Sequence, residues 1–164
     1  MMKEVLRLGL TAILGSGVTF TTDVTDVLDE LEVPYSIVKE IPQGADMKGF
    51  YEYSTGKIYI DSDVNTEEMR YIAAHELIHK LRYEQGLWTG DESFEEAVAV
   101  YGAIHISRKI GFGRFSIDKK DTLKLALKAG GLDPAYKPDI DQVYAEVDKT
   151  LEVLKDFKLT VKGE

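Results

Sequence analysis

Apolar positions along this chain recur with two different periods. Val24, Val27, Leu28 and Leu31 have the one-sided spacing of a short amphipathic helix, opened by Thr21-Thr22-Asp23 and closed before Pro34. Tyr35 to Ile41, Phe50 to Tyr53 and Lys57 to Asp61 are short runs of β-branched and aromatic residues, and Ser54-Thr55-Gly56 supplies turn chemistry between the last two. These runs predict three strands in a small antiparallel sheet. Helical spacing then returns. Asn65 with Glu68 makes a capping box that starts a helix reaching about Gly86, and a second helix is expected from about Ser93 to Ile110.

The two ends follow the same logic. Residues 2–14 read as a short helix that stops at Gly15-Ser16-Gly17. A signal-peptide reading of Leu8 to Phe20 is disfavoured by Glu4 in the would-be basic region, by the glycine interruptions and by the lack of a small-x-small cleavage site. Gly111-Phe-Gly113 breaks the chain, Asp118 to Ala129 is helical up to Gly130-Gly131, and Pro134 and Pro138 mark a loop. Ile140, Val143, Val147, Leu151, Leu154 and Phe157 form a helical stripe that predicts packing on the core, with a partner-binding helix as the alternative. The expected fold class is α+β, in one domain over residues 1–164. Its core spans about 21–110 and a C-terminal helical extension about 116–158.

Composition narrows the chemistry. The chain has 164 residues, 44% hydrophobic and 30% charged, as an ordinary globular protein does. It has no cysteine, which excludes disulfides, thiolate metal sites and cysteine nucleophiles. Any metal must be held by His, Asp or Glu. The net charge of −9 argues against a nucleic-acid partner, and no run approaches the length needed to span a bilayer. A cytoplasmic, non-membrane protein is expected.

The chemistry concentrates in Arg70-Tyr-Ile-Ala-Ala-His-Glu-Leu-Ile-His-Lys80. On a helix, positions i and i+4 lie about 40° apart and one turn above each other, so His75 and His79 can share one metal ion. Glu76 is angled away from the ion yet within reach of a water on it. H-E-x-x-H is therefore a zinc signature, with two imidazoles as ligands and the glutamate as general base. Two of the chain's three histidines are in this motif. An amphipathic helix with incidental histidines is the bland reading, and the apolar flanks Ile72, Ala73, Ala74, Leu77 and Ile78 weigh against it.

A catalytic zinc usually has three protein ligands and an open fourth position. The third is expected from Glu92, Glu95 or Glu96, at the start of the next helix. Glu96 also fits a capping box with Ser93, so both readings stand on the residues alone. His105 falls on the far side of that helix and is not expected to bind the same ion.

The run from Gly49 through Lys57-Ile-Tyr-Ile-Asp61 to His79 resembles the ImmA/IrrE metallopeptidases. That family has a similar hairpin, then an arginine shortly before Ala-His-Glu-x-x-His. Its third ligand lies in a pattern E-x-x-A-N-x-F-A. Glu96, Ala99 and Ala103 match that pattern, with Val100 in place of Asn and Gly102 in place of Phe. Glu95-Glu96-Ala97-Val98-Ala99 is also similar to the metallopeptidase domain of ArdC-type antirestriction proteins. The resemblance covers roughly Asp23 to Ile106. It implies a zincin-like core, His75, His79 and Glu96 as zinc ligands, and a protein substrate that in several relatives is a repressor.

The expected activity is a zinc-dependent metalloendopeptidase in which Glu76 takes the water's proton and delivers it to the leaving amine. A second oxyanion donor is sought among Tyr71, Tyr83 and Tyr101, of which Tyr83 continues the His75–His79 face by one turn. An inactive metallopeptidase-like module that binds a partner protein is the alternative.

Overall fold

The computed structural model describes residues 24–42, 48–110 and 117–157. Among these the chain is α+β. α1 (Val24–Glu30) leads into β1 (Tyr35–Val38), then β2 (Gly49–Glu52) and β3 (Lys57–Asp61). Four longer helices follow: α2 (Thr66–Glu84), α3 (Glu92–Ile110), α4 (Lys119–Ala129) and α5 (Ile140–Leu151), the last continued by a 3-10 turn at Glu152–Leu154. The expected helix over 2–14, the Thr21-Thr22-Asp23 cap and the Gly111-Phe-Gly113 break lie outside the described residues.

The sheet is mixed, which corrects the antiparallel expectation. β2 and β3 form the antiparallel hairpin, but β1 pairs with β3 in parallel, giving the order β1-β3-β2. The most apolar strand takes the centre: Ile58 and Ile60 of β3 are fully buried against α2. The 39–48 connection is long enough to take the chain from one edge of the sheet to the other, so sequence neighbours β1 and β2 do not pair. β1 also stops at Val38 rather than Ile41, because Lys39 and Glu40 are exposed and Pro42 has no N–H for a ladder.

β2 is an edge strand. The Asp61 amide donates to the Lys48 carbonyl at 2.9 Å, so by the alternation of the ladder Phe50 and Glu52 also face β3. Gly49 and Tyr51 turn their main-chain groups to the free edge. Glycine is required at 49 by crowding: a Cβ there would lie 2.3 Å from Ile72 Cγ2 of α2.

Local chemistry starts α2 where expected. Asn65 Oδ1 accepts from the Glu68 amide at 2.8 Å and Glu68 Oε1 accepts from the Asn65 amide at 3.3 Å. The helix then packs along α3, with Leu77, Ile78, Val98 and Ala99 buried in the seam. α5 covers the other side of α3 with Val143 and Val147, and Leu151, Leu154 and Phe157 of its stripe also pack on the core, while Ile140 at its start is exposed. Gly102 sits at that contact, where a Cβ would meet Ile78 Cδ1 at 3.1 Å and Val147 Cγ2 at 3.3 Å. A phenylalanine has no room there because α5 fills the space. No helix among the described residues is long and apolar enough to cross a membrane.

Candidate metal centre

The α2–α3 seam brings three donors to one point. His75 and His79 lie one turn apart on α2, ring centroids 4.9 Å from each other, and Glu96 reaches across from the first turns of α3. Glu96 Oε1 is 3.0 Å from His75 Nε2, and Oε2 is 3.0 Å from His79 Nε2. The three donor atoms lie within 4.8 Å of one another.

The two histidines are held differently. His75 Nδ1 faces the Tyr71 hydroxyl at 3.1 Å. Its Nε2–H donates to Glu96 Oε1 at 3.0 Å, so Nδ1 accepts from the Tyr71 hydroxyl, and the two contacts together fix the ring orientation. His79 is buried, close to Glu96 but without hydrogen-bond alignment, and neither of its ring nitrogens has a hydrogen-bond partner. A buried polar atom left so is destabilising unless something else takes its lone pair. The donor set of two imidazole nitrogens and a carboxylate oxygen suits a zinc ion.

Electrostatics separate the two glutamates. Burial pushes the Glu96 carboxyl up, but the attraction of His79 and the bond with His75 outweigh it and hold the group well below the usual carboxylate range. It stays ionised, as a ligand must. Glu76 goes the other way: burial raises its carboxyl to about 7, with His75 opposing and Glu96 adding to the rise. Glu76 lines the same cavity beside Gly49 and is outside the three-donor cluster.

The rival acids have other positions. Glu95 is fully buried on the opposite side of the seam, paired with Arg82. Glu92 is exposed at the cavity edge. The capping reading of Glu96 fails because Asp91 caps α3, its Oδ1 accepting from the Phe94 amide at 3.2 Å.

Of the expected oxyanion donors, only Tyr71 lines the cavity. Tyr83 is 45% exposed, meeting Tyr51 edge-on and packing at a tilt on Tyr53, because the next turn of α2 has already passed the end of the cleft. Tyr101 packs against Tyr144 under the Lys119 ammonium. His105 rests on the same Tyr144 ring, away from the cluster as its helical angle requires.

The cavity itself encloses about 730 Å³. Lys48, just before β2, joins Gly49, Phe50 and Tyr51 of the strand and Tyr53 of the turn after it; α4 and the turn after it contribute Thr122, Leu125, Ala126, Ala129, Gly130 and Leu132. Three lining residues were not singled out by sequence. Trp88 packs on the His79 ring with centroids 5.9 Å apart, and Tyr53 packs on Trp88 at 5.4 Å. The Tyr53 phenol is pushed up to about 12, first by burial and then by Glu92, Glu96 and Glu76. Its place directly after an edge strand beside the motif helix was the available signal. Leu125, an apolar residue on the polar side of a helix, carried a similar one.

Scans of this chain against protein-family models, curated proteins and solved structures find no match. The likeness to the ImmA/IrrE metallopeptidases rests on the residues quoted above.

Proposed function

We propose that the protein is a zinc-dependent metalloendopeptidase with a zincin-like core, of ImmA/IrrE type. The observation that carries this reading is the convergence of His75, His79 and Glu96 in a cleft where His79 has no other partner and a non-ligating glutamate stands alongside. Zinc held by these three donors would supply Lewis acidity and bring a water's pKa towards neutrality.

The chain's own groups divide the remaining work. Glu76 accepts the proton of the attacking water and returns it to the leaving amine, and a carboxyl near neutrality is suited to both steps. Tyr71 keeps the His75 ring oriented. Tyr53 remains protonated at neutral pH and can donate a hydrogen bond to the oxyanion that develops on the scissile carbonyl. The free edge of β2 along the cavity favours an extended peptide, because the Gly49 and Tyr51 main-chain groups can pair with it as an added strand. A regulatory protein such as a repressor is the substrate class that the family likeness suggests.

The test separates base from ligands. Glu76→Gln should keep zinc and lose cleavage by roughly 10²–10⁴-fold, since an amide cannot take the proton. Zinc content and cleavage of candidate protein substrates are measured on the same preparations; wild-type turnover by the Gln variant would remove the mechanism.

A further inference from the structure

α4 presents two apolar faces, one buried in the core and one turned to the cavity, where only Ala126 also touches the core. Leu123 and Leu127 are buried against the rest of the molecule. Thr122, Leu125, Ala126 and Ala129 fall on a second stripe, at helical spacing, that lines the metal-centre cavity. Leu125 is 67% exposed, the most exposed large hydrophobic among the described residues, while its neighbours Lys124 and Lys128 are exposed polar residues outside the lining. A leucine set among lysines on an open helix is normal when single. Here it is continuous with Ala126, Ala129 and Leu132 and shares one cavity with His75, His79 and Glu96.

We propose that this stripe of α4 is the specificity wall of the site, and that it takes a bulky aliphatic or aromatic side chain next to the scissile bond of an extended peptide. The proposal rests on the metallopeptidase reading for its substrate class. Its chemistry comes from the cleft. The free edge of β2 offers main-chain pairing that is indifferent to sequence, so selection must come from where alternate side chains land. The charged groups of the cavity are Lys48, Glu68, Glu92 and the metal-centre residues, and all of them belong to the β2, α2 and α3 side. The α4 side carries one hydroxyl, Thr122, and is otherwise apolar. Ala126 and Ala129 are small and leave room on this wall beside the exposed Leu125 for a leucine, methionine or phenylalanine side chain, while Leu132 at its end is partly buried against the core. Removing that side chain from water as well as Leu125 gives the preference its driving force.

Binding can be read without turnover. Trp88 is the only tryptophan of the chain and lies against His79 in the cavity, so its fluorescence reports occupancy. The probes are two capped alanine-based peptides that differ only in a central leucine or serine, titrated into the zinc-treated Glu76→Gln protein. The leucine peptide should bind tighter by roughly tenfold or more. Leu125→Asp, at an exposed position that tolerates a polar group, should erase the difference. Val153→Asp, equally exposed at 57% but outside the cavity, should preserve it. Equal affinities, no binding of either peptide, or a preference that survives Leu125→Asp would overturn the proposal. The same two peptides given to the zinc-loaded wild type test the reading beneath it. Selective binding with neither peptide cleaved would leave the wall standing and remove the peptidase.

Discussion

Glu95 and Glu96 are adjacent in sequence and do opposite things. Glu95 turns away from the cavity into a closed ion-pair network. It accepts from Arg82 Nη2 at 2.9 Å, from the Arg82 Nε, and from the Thr89 amide and hydroxyl at 3.0 and 2.9 Å. Arg82 is completed by Glu146 and Thr150 of α5 and by the Leu87 carbonyl. Burial works to lower the Arg82 pKa, but the bonds and charges of Glu95 and Glu146 outweigh it and raise it. Every donor has an acceptor there. Glu96 faces the cavity, where His79 lacks a hydrogen-bond partner. Two buried polar clusters on the same helix pair thus differ in completeness. The complete one fastens α2, α3 and α5 together; the incomplete one is the proposed metal site.

The comparison can be broken most easily at Arg82. Arg82→Ala leaves the Glu95 charge buried without its partner, a loss of about 3–5 kcal/mol. The melting temperature of the metal-free protein should fall by roughly 10 °C for a domain of this size. Zinc should still raise the melting temperature of whatever fraction folds, because the ligands are on the other side of the seam. Glu96→Ala should give the converse, a protein that zinc no longer stabilises. Differential scanning calorimetry of both variants, with and without zinc, makes the check, and a zinc-induced shift in Glu96→Ala would dissolve the distinction.

A smaller effect sharpens the open cluster. Glu76 has a folded pKa of about 7 against an ordinary 4.5, so the native state holds its proton more tightly. Its contribution to stability is therefore full below about 4.5 and lost as pH rises through 7, by up to about 3 kcal/mol in metal-free protein. Glu96, held low, acts in the opposite sense: its contribution is present above the ordinary carboxylate range and lost as pH falls. Glu76→Gln should remove the first trend only. Urea unfolding at pH 5 and pH 8 would show the variant gaining on wild type at the higher pH; parallel curves would contradict the assignment.

The smallest expected change is at Tyr53. Loss of its hydroxyl in Tyr53→Phe should lower kcat roughly 10–100-fold, at the modest end for an oxyanion donor, with zinc content unchanged. Tyr83→Phe, outside the cavity, should leave kcat alone. Equal effects at both positions would return the donor role to an open question.

How much of this was legible beforehand follows from the range of the interactions. The capping box at Asn65, the turn at Ser54-Thr55-Gly56 and the i, i+4 histidines are short-range patterns, and each lies where sequence put it. The parallel pairing of β1 with β3 is a long-range choice made by burying Ile58 and Ile60, and local spacing carries no trace of it. The choice between Glu95 and Glu96 was of the same kind. Helical spacing puts the two about 100° apart, and only the positions of Arg82 and the histidines decide which faces which. Arg82 lies in the last turn of α2, where nothing in the local sequence marks it for burial. Its burial depends on Glu146 and Thr150, far along the chain, so no window around α2 could reveal it.

The central claim is that the open cluster is a zinc site, and stoichiometry tests it most directly. Untagged protein would be purified, exchanged into zinc, stripped of loosely held metal by dialysis and measured by mass spectrometry beside His79→Ala and Glu96→Ala. The account predicts one zinc per chain in wild type and a large loss in both variants, with circular dichroism confirming that the variants are folded. Wild type that holds no more zinc than folded His79→Ala would contradict it.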